Sequence, residues 1–186
     1  MRSLIVTEFL SLDGVVDSPG GGEHPRAGWT FKEVDFLPEV YEIKGREQTE
    51  ASAMMMGRVS YQEFVPVWPS MAEFAEYNAM PKYVVSTTLT ETDPGWTPTT
   101  ILRSLDEVAA LKQTEGGNIL VHGSPTLAQG LLAAGLVDRY HLLVFPLLLG
   151  SGKRLFADAG DFAKLDLVEQ QAYDNGIIKA VYDVVR

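Results

Sequence analysis

The chain has 186 residues, of which 46% are hydrophobic, so it can bury the core of one domain. Its net charge of −10 opposes general binding to DNA, RNA or an anionic membrane surface. It contains no cysteine, which excludes disulfides, thiolate zinc sites and cysteine nucleophiles. The first apolar run is interrupted by Glu8 and Asp13, so we expect no signal peptide, no membrane span and a cytoplasmic location.

The first half of the chain alternates strand-like and helix-like segments. An apolar, β-branched run predicts a strand over Leu4–Phe9, and the glycine- and proline-rich stretch Ser18–Gly28 predicts a lid or binding loop. Apolar residues at helical spacing predict a helix over Phe36–Glu50. The segments that follow are a strand at Ala53–Met56, a helix at Ser60–Phe64, a helix at Met71–Met80 and a strand at Tyr83–Val85.

The second half begins in the same way and then changes to strands. A strand at Thr99–Arg103 leads into a helix over Ser104–Gln113, which opens with the Ser-x-x-Glu capping pattern. The next segments are a strand at Asn118–His122, a helix at Pro125–Ala134, and strands at Arg139–Leu149, Leu165–Tyr173 and Ile177–Val185. Asp174-Asn175-Gly176 predicts a hairpin with a type I′ turn.

This order of elements predicts one α/β domain over residues 1–186. Strands that alternate with helices favour a mainly parallel mixed sheet, and the last strands favour an antiparallel C-terminal hairpin. With helices on both faces, the predicted architecture has three layers.

Three of the predicted strands end in turns suited to binding phosphate. Val121-His122-Gly123-Ser124 leads from a strand into a helix, Met56-Gly57-Arg58 ends the methionine-rich strand, and Ser86-Thr87 ends another. Because carboxyl ends of parallel strands share one edge and helix N-termini attract anions, these turns predict a dinucleotide site. Gly150-Ser151-Gly152-Lys153 lacks the longer spacing of an ATP-binding loop, so it is either a plain glycine turn or a place where Lys153 meets an anionic group.

Several motifs in a fixed order resemble those of a known family. They are Ser11-Leu12-Asp13-Gly14, Met56-Gly57-Arg58-Val59-Ser60-Tyr61, the run from Lys82 to Leu89, Val121-His122-Gly123-Ser124, the run from Gly135 to Asp138, and the run from Phe145 to Phe156. With them the chain resembles the dihydrofolate-reductase-like fold family, in particular the bacterial branch similar to the reductase (C-terminal) domain of riboflavin biosynthesis protein RibD.

The resemblance implies an NADPH-binding reductase fold that is commonly a homodimer. Gly57 would let the backbone approach the pyrophosphate, and Arg58 would offer a planar fork of donors to the 2′-phosphate. The full set of implied cofactor residues is Thr7, Gly57, Arg58, Ser60, Ser86, Thr87, Arg103, Gly123, Ser124 and Thr126. Taken alone, Arg58 is also explained as a solvated surface charge, and Ser86 and Thr87 as turn formers.

The candidate catalytic residues are Asp13, Glu39 and His122. Glu39 follows Leu37-Pro38 much as the substrate-binding acid does in folate reductases, although the offset also allows Val40 at that place. Both carboxylates are alternatively explained by loop or first-turn interactions. The riboflavin branch reads Glu-Gly-Gly where this chain has His122-Gly123-Ser124, a departure that bears on the substrate.

Trp29, Phe145 and Lys153 are the candidate substrate-binding residues, because aromatic faces stack on flat rings and Lys153 can meet an anion. The three histidines, His24, His122 and His141, lack a ligand spacing, so we expect no metal.

The sequence thus favours an NADPH-dependent oxidoreductase that reduces a small planar heterocycle, pterin- or folate-like or pyrimidine-like, by hydride transfer. One alternative is a nucleotide- or flavin-binding protein of the same fold without reductase turnover. Another is a structural subunit that assembles through the apolar strand Leu142–Leu149 and has no affinity for a cofactor.

Overall fold

One eight-stranded sheet organises the computed structural model, which describes residues 1–93, 95–156, 158, 160 and 162–185. The strands are β1 (Leu4–Ser11), β2 (Ala51–Gly57), β3 (Lys82–Val85), β4 (Thr99–Leu102), β5 (Asn118–His122), β6 (Arg139–Phe145), β7 (Leu165–Ala172) and β8 (Ile178–Val184). Their order in the sheet is β4-β3-β2-β5-β1-β6-β8-β7. All pairs from β4 to β6 are parallel, whereas β8 is antiparallel to both β6 and β7.

Helices cover both faces of this sheet. They are α1 (Trp29–Lys32), α2 (Glu42–Glu50), α3 (Arg58–Phe64), α4 (Ala75–Ala79), α5 (Leu105–Lys112) and α6 (Pro125–Ala133), with 3₁₀ turns at Pro38–Tyr41, Trp68–Ser70 and Ala72–Phe74. No helix within the described ranges is both long and apolar enough to cross a bilayer.

The alternation of side chains along the strands divides the core between the two faces. Val6, Met55 and Val121 point to one face and pack with α5 and α6. On the other face, Met54 and Leu120 pack in one cluster with residues of α3 and α4. A second cluster on that face joins α1 and α2 to β6 and β8. The predicted α/β architecture, with its mainly parallel sheet, antiparallel C-terminal strands and helices on both faces, is confirmed.

Three predicted elements differ from the structure at prolines or in length. The helix predicted over Phe36–Glu50 is a 3₁₀ turn that begins at Pro38, followed by α2. The helix predicted over Met71–Met80 is likewise divided into a 3₁₀ turn and α4. The strand predicted over Arg139–Leu149 ends at Phe145, because Pro146 has no N–H to continue the ladder.

The C-terminal hairpin forms as predicted, but its turn is of another type. Gly176 N donates to Tyr173 O at 2.9 Å, and Tyr173 N donates to Ile177 O at 2.9 Å. Gly176 has φ of +83°, and Asn175 is not among the described residues with positive φ. The loop therefore has three residues with the left-handed position at its glycine, and the expected two-residue type I′ turn is wrong.

The predicted cap of α5 is present. Ser104 Oγ accepts a hydrogen bond from Glu107 N at 3.3 Å. Glu107 Oε2 accepts from Arg103 N at 2.7 Å, one residue before the cap position. These local bonds explain why the start of this helix is readable from four consecutive residues.

Candidate functional site

The carboxyl ends of β2 and β5 meet in a compact group of hydroxyls and backbone amides. Gly57 N donates to Ser124 Oγ at 2.7 Å, and Ser124 Oγ donates to Ser60 Oγ at 2.8 Å. Gly57 ends β2, Ser60 is in α3, and Ser124 precedes α6. We call Gly57, Ser60, Gly123 and Ser124 the strand-end cradle. The structure thus brings together four residues that the sequence predicts for cofactor binding.

Backbone conformation keeps this cradle open. Gly123 and Ser124 are both left-handed, with φ of +58° and +63°. A Cβ at Gly123 would lie 3.0 Å from Ser60 Oγ, which is tighter than nine in ten Cβ contacts, so the Ser60 side chain would have to shift. The first-turn N–H groups of α6, a helix of nine residues, place a partial positive charge beside the cradle. Thr126, in this first turn, is exposed.

Two arginines follow strand ends at this edge of the sheet. Arg58 follows β2 directly beside the cradle, and Arg103 follows β4, with β3 between the two strands. Arg58 is exposed at the first turn of α3, where its guanidinium donates to Gln62 Oε1 at 2.8 Å. Arg103 NH1 donates to Ser86 O at 2.9 Å and to Leu89 O at 2.6 Å, so it joins the ends of β3 and β4.

The two hydroxyl residues at the end of β3 differ in exposure. Ser86 Oγ accepts from Leu89 N at 2.9 Å, so this hydroxyl shapes the turn, whereas Thr87 is exposed.

A buried polar row crosses the middle of the sheet next to the cradle. Thr7 on β1 is in register with His122 on β5 and with His141 on β6. We call these three residues the polar row. Thr7, which the resemblance assigns to cofactor binding, therefore lies outside the strand-end cradle.

Helix α2 places an ion pair over this row. Thr7 Oγ1 donates to Glu47 Oε1 at 2.6 Å, and His141 Nδ1 donates to the same oxygen at 2.9 Å. Lys44 Nζ lies 3.4 Å from Glu47 Oε2 and also donates to the Thr7 hydroxyl. Lys44 and Glu47 are one helical turn apart and are called the α2 pair. Together with Thr7 and His141 they form a closed hydrogen-bonded group.

Burial and mutual charge set the protonation of this group. Burial alone would raise the pKa of Glu47, but the Lys44 charge and the His141 hydrogen bond outweigh it and hold the pKa at about 2. Burial lowers the pKa of His122 to about 4, against the opposing influence of Glu47. At neutral pH Glu47 is therefore ionised and His122 is a neutral imidazole.

The His122 ring is packed against aromatic side chains, and one of its nitrogens has no hydrogen-bond partner among the described residues. Its ring meets Tyr77 edge-on at 4.9 Å and Trp68 edge-on at 5.6 Å between centroids. Its Nε2 atom is buried and has no hydrogen-bond partner among the described residues. A buried polar atom without a partner is costly, so Nε2 is a candidate for a ligand contact. Burial also raises the pKa of Tyr77 well above its usual value.

Glu8 is a second buried group that the sequence did not single out for chemistry. It is 4% exposed on the central strand β1, and its Oε1 atom has no hydrogen-bond partner within the described chain. Burial raises the pKa of Glu8 to about 8, although the Lys44 charge opposes the shift. Glu8 is therefore mostly a neutral carboxylic acid at neutral pH.

The two carboxylates predicted as catalytic lie elsewhere. Asp13 accepts hydrogen bonds from Ser11 Oγ at 2.7 Å, Leu149 N at 3.0 Å and Gly150 N at 2.7 Å. Partial burial raises the pKa of Asp13, but these three donors outweigh it and hold the pKa at about 2. An ionised carboxylate with these contacts anchors two loops and does not favour proton donation. Glu39 is exposed in the 3₁₀ turn before α2.

Two of the three predicted substrate residues are inside the core instead. Trp29 and Phe145 are fully buried and meet edge-on at 5.2 Å between ring centroids. Trp29 Nε1 donates to Asp17 O at 2.9 Å, so the polar atom of its indole is also satisfied. Neither ring presents a face to a ligand, because Trp29 of α1 and Phe145 of β6 pack together in one buried cluster. Lys153 is exposed.

Aromatic residues that the sequence did not select form a ledge beside the α2 pair. Phe9 is half-buried and meets Tyr41 edge-on at 6.0 Å between centroids. Phe36 stacks on Tyr41 at 5.2 Å and is 65% exposed. We call Phe9, Tyr41 and Phe36 the aromatic ledge. It leads from the surface toward Lys44.

A cavity of about 400 Å³ lies at the opposite edge of the sheet, where strands begin. Its lining includes Arg139 and Asp183, which bond to each other at 2.6 and 3.0 Å. The charges of Arg139 and Asp183 are therefore already paired with each other. We place the functional site at the carboxyl edge of the sheet, where the cradle, Arg58 and His122 lie close together, and where His122 Nε2 has no partner in the described part of the chain.

The sequence missed Lys44, Glu47 and His141 as members of the site. Two features of the sequence could have indicated these residues. Thr7 and His141 are polar residues within the apolar strands β1 and β6, and Glu47 follows the buried Ile43 of α2 by one helical turn. Only the strand register joins these signals. No group of three potential ligands able to hold a metal ion is found in the part of the chain that the structure describes.

The sheet order and the strand-end cradle define the dihydrofolate-reductase-like class of α/β proteins. The chain belongs to the RibD C-terminal domain family, whose model matches residues 2–179. It is similar to the uncharacterized protein YyaP of Bacillus subtilis (strain 168), with 26% identity over 195 residues that cover 97% of this chain and 94% of that protein. The resemblance seen in the sequence motifs is confirmed.

Solved structures show the same fold. A putative riboflavin biosynthesis protein from Shewanella sp. PV-4 superposes with a TM-score of 0.79 at 22% identity, covering 99% of both chains. The dihydrofolate reductase of Enterococcus faecalis, complexed with NADP(H) and RAB-propyl, gives 0.67 at 12% identity over 99% of this chain and 97% of that one. A pyrimidine reductase-like protein from Corynebacterium diphtheriae gives 0.63 at 14% identity, with 99% and 92% covered.

Proposed function

We propose that this protein is an NADPH-dependent oxidoreductase that reduces a small planar heterocycle, pterin- or folate-like or pyrimidine-like, by hydride transfer. The observation that carries the proposal is the strand-end cradle, with its left-handed Gly123-Ser124 turn and the positive end of α6. Membership of the RibD C-terminal domain family supports it. So do the fold relatives described as a dihydrofolate reductase complexed with NADP(H) and as a pyrimidine reductase-like protein.

The residues present fit such a cofactor. The first-turn amides of α6 and the hydroxyls of Ser60 and Thr126 would hold the pyrophosphate. Ser124, which donates its hydroxyl proton to Ser60 and accepts from Gly57 N, would keep the turn in place. Arg58, exposed at the start of α3, would bind the 2′-phosphate through its planar fork of donors. The absence of a Cβ at Gly123 preserves the space beside Ser60. When bound, the nicotinamide supplies the hydride.

The protein's own contribution is positioning and exclusion of water. Trp68 and Tyr77 enclose His122, so a ring that reaches His122 leaves bulk water. We propose that His122 Nε2, which has no partner among the described residues, hydrogen-bonds to a heteroatom of the bound ring and fixes its orientation. The neutral state of the imidazole suits a hydrogen bond better than a full proton transfer from this residue at neutral pH. The resemblance extends the proposal to a homodimer.

The test of cofactor binding compares NADPH with NADH on matched variants. Arg58→Ala should weaken NADPH binding about tenfold or more, because a charge-assisted contact to the 2′-phosphate is lost, and should leave NADH almost unchanged. Lys164→Ala removes an exposed cation beside β7, at the far edge of the sheet, where it pairs only weakly with Asp166 at 3.8 Å, and should change neither affinity. Equal losses of NADPH and NADH in Arg58→Ala would remove this residue from the proposed role.

Turnover decides between the reductase and the binding protein. Oxidation of NADPH is followed by absorbance with a panel of dihydropterins and pyrimidines. Turnover with at least one ring supports the reductase. Cofactor binding without turnover across the panel supports the alternative, a nucleotide- or flavin-binding protein. No affinity for NADPH or NADH contradicts the reductase.

A further inference from the structure

Lys44 is the most accessible charge of the group beneath α2. Its side chain is 17% exposed, whereas that of Glu47 is 0% exposed. The ammonium lies 5.0 Å from the centroid of the Phe9 ring, which is part of the aromatic ledge. An ammonium over an aromatic face is held by the ring quadrupole as well as by its anionic partner. The α2 pair therefore presents its cation toward the ledge.

Glu47 is unavailable to a ligand. Its Oε1 atom accepts from Thr7 at 2.6 Å and from His141 at 2.9 Å, and its Oε2 atom faces Lys44 at 3.4 Å. With no exposed surface, the carboxylate is reached only if one of these partners is displaced. Displacement would leave a buried charge or donor unpaired, which is strongly unfavourable.

The aromatic ledge gives a flat ring a path toward this ammonium. Exposure falls from Phe36 at the surface to the half-buried Tyr41 and Phe9. Offset stacking along such a series favours planar ligands without selecting a particular edge chemistry. The selection must come from the charged group at the inner end, which is the Lys44 ammonium.

We propose that Lys44 is a specificity-determining residue, which selects planar rings whose leading edge carries hydrogen-bond acceptors or negative charge over rings that lead with amino groups or positive charge. The inference rests on the proposed function and deepens it. Glu47 acts through Lys44, and with Thr7 it is a positioning residue that holds the ammonium over Phe9. A protonated or amino-edged ring would meet a like charge or a donor where it needs an acceptor.

The direct test compares two matched pteridines on the unmodified protein loaded with NADPH. Binding of 2,4-dioxopteridine and 2,4-diaminopteridine is followed by tryptophan emission. We expect the dioxo ring to bind at least tenfold more tightly. Equal affinities, the reverse order, or no binding of either ring would overturn the role of Lys44.

Variants then locate the source of the preference. Lys44→Met should reduce the ratio of the two affinities toward one, and Lys44→Arg should retain it because the charge remains. Glu47→Gln should also lower the ratio, since the ammonium is no longer held in place. If Lys44→Met fails to fold, the double variant Lys44→Met with Glu47→Gln removes both charges without leaving one buried alone. An undiminished ratio in the folded variants contradicts the inference.

A control and a second measurement separate this inference from the proposed function. Lys164→Met removes a lysine that is 67% exposed and should leave the ratio unchanged. NADPH affinity is measured on every sample, and Lys44 variants should keep it. NADPH binding without a dioxo preference defeats only the Lys44 inference, whereas loss of NADPH binding by the unmodified protein defeats the proposed function.

Discussion

We expect the free energy of unfolding of Glu8→Gln to rise relative to that of the wild type as the pH increases from 5 to 8. Burial raises the pKa of Glu8 from its usual 4.5 to about 8 in the folded chain. A carboxyl whose pKa is raised by folding contributes its stability below the unfolded value of 4.5, and this is lost as pH rises through about 8. Between these values the unfolded chain releases a proton that the folded chain retains.

The size of the effect follows from the shift. Each pKa unit corresponds to about 1.4 kcal/mol, so wild-type stability should fall relative to Glu8→Gln by about 3 kcal/mol between pH 5 and pH 8. Glutamine keeps the shape of the protonated acid and cannot ionise. Any constant cost of its unpaired amide cancels, because only the change of the difference with pH is compared.

The assay is urea unfolding of both proteins across this pH range, with the free energy of unfolding extrapolated to water. Glu63→Gln, an exposed glutamate of α3, is the matched control and should stay within about 0.5 kcal/mol of the wild type at each pH. A constant difference between wild type and Glu8→Gln from pH 5 to pH 8 would refute the reasoning, as would a difference that grows in the opposite direction.

Two further predictions concern the loops and the cradle. Asp13→Asn should destabilise the protein by about 1.5–3 kcal/mol at neutral pH, because the hydrogen bonds from Leu149 N and Gly150 N become weaker. This loss should fade as the pH falls from the ordinary pKa of 3.8 through the pKa of about 2 in the folded chain. Urea unfolding measures both effects, with Asp166→Asn as the control. Gly123→Ala should cost about 1 kcal/mol of backbone strain plus the clash with Ser60, and should weaken NADPH binding. Gly135 has φ of +66°, and no atom of the described residues lies within 4 Å of a Cβ added there, so Gly135→Ala should show the strain alone in thermal unfolding. Equal effects of the two alanines on stability and NADPH binding would contradict the role of the cradle.

Local patterns were sufficient to predict most elements and the cradle. The Asn118–His122 strand and the capped helix after Ser104 depend on neighbours within a few residues, so their signals are complete in the sequence. The order of strand-end turns was sufficient to indicate the family. Because parallel strands place their carboxyl ends on one edge, Gly57 and Ser124 were expected to meet, and they do so.

The tertiary structure alone decided the roles of the buried polar groups. Asp13 became a loop anchor through amides 136 and 137 residues away, and Trp29 became core because Phe145 covers it. Thr7, Glu47 and His141 come from three separate elements, and a strand register shifted by one residue would have pointed these strand side chains to the other face. Charge states depend on burial and on distant partners, which no local pattern contains. The sequence therefore determined the class of fold, whereas packing determined which ionisable groups face a ligand.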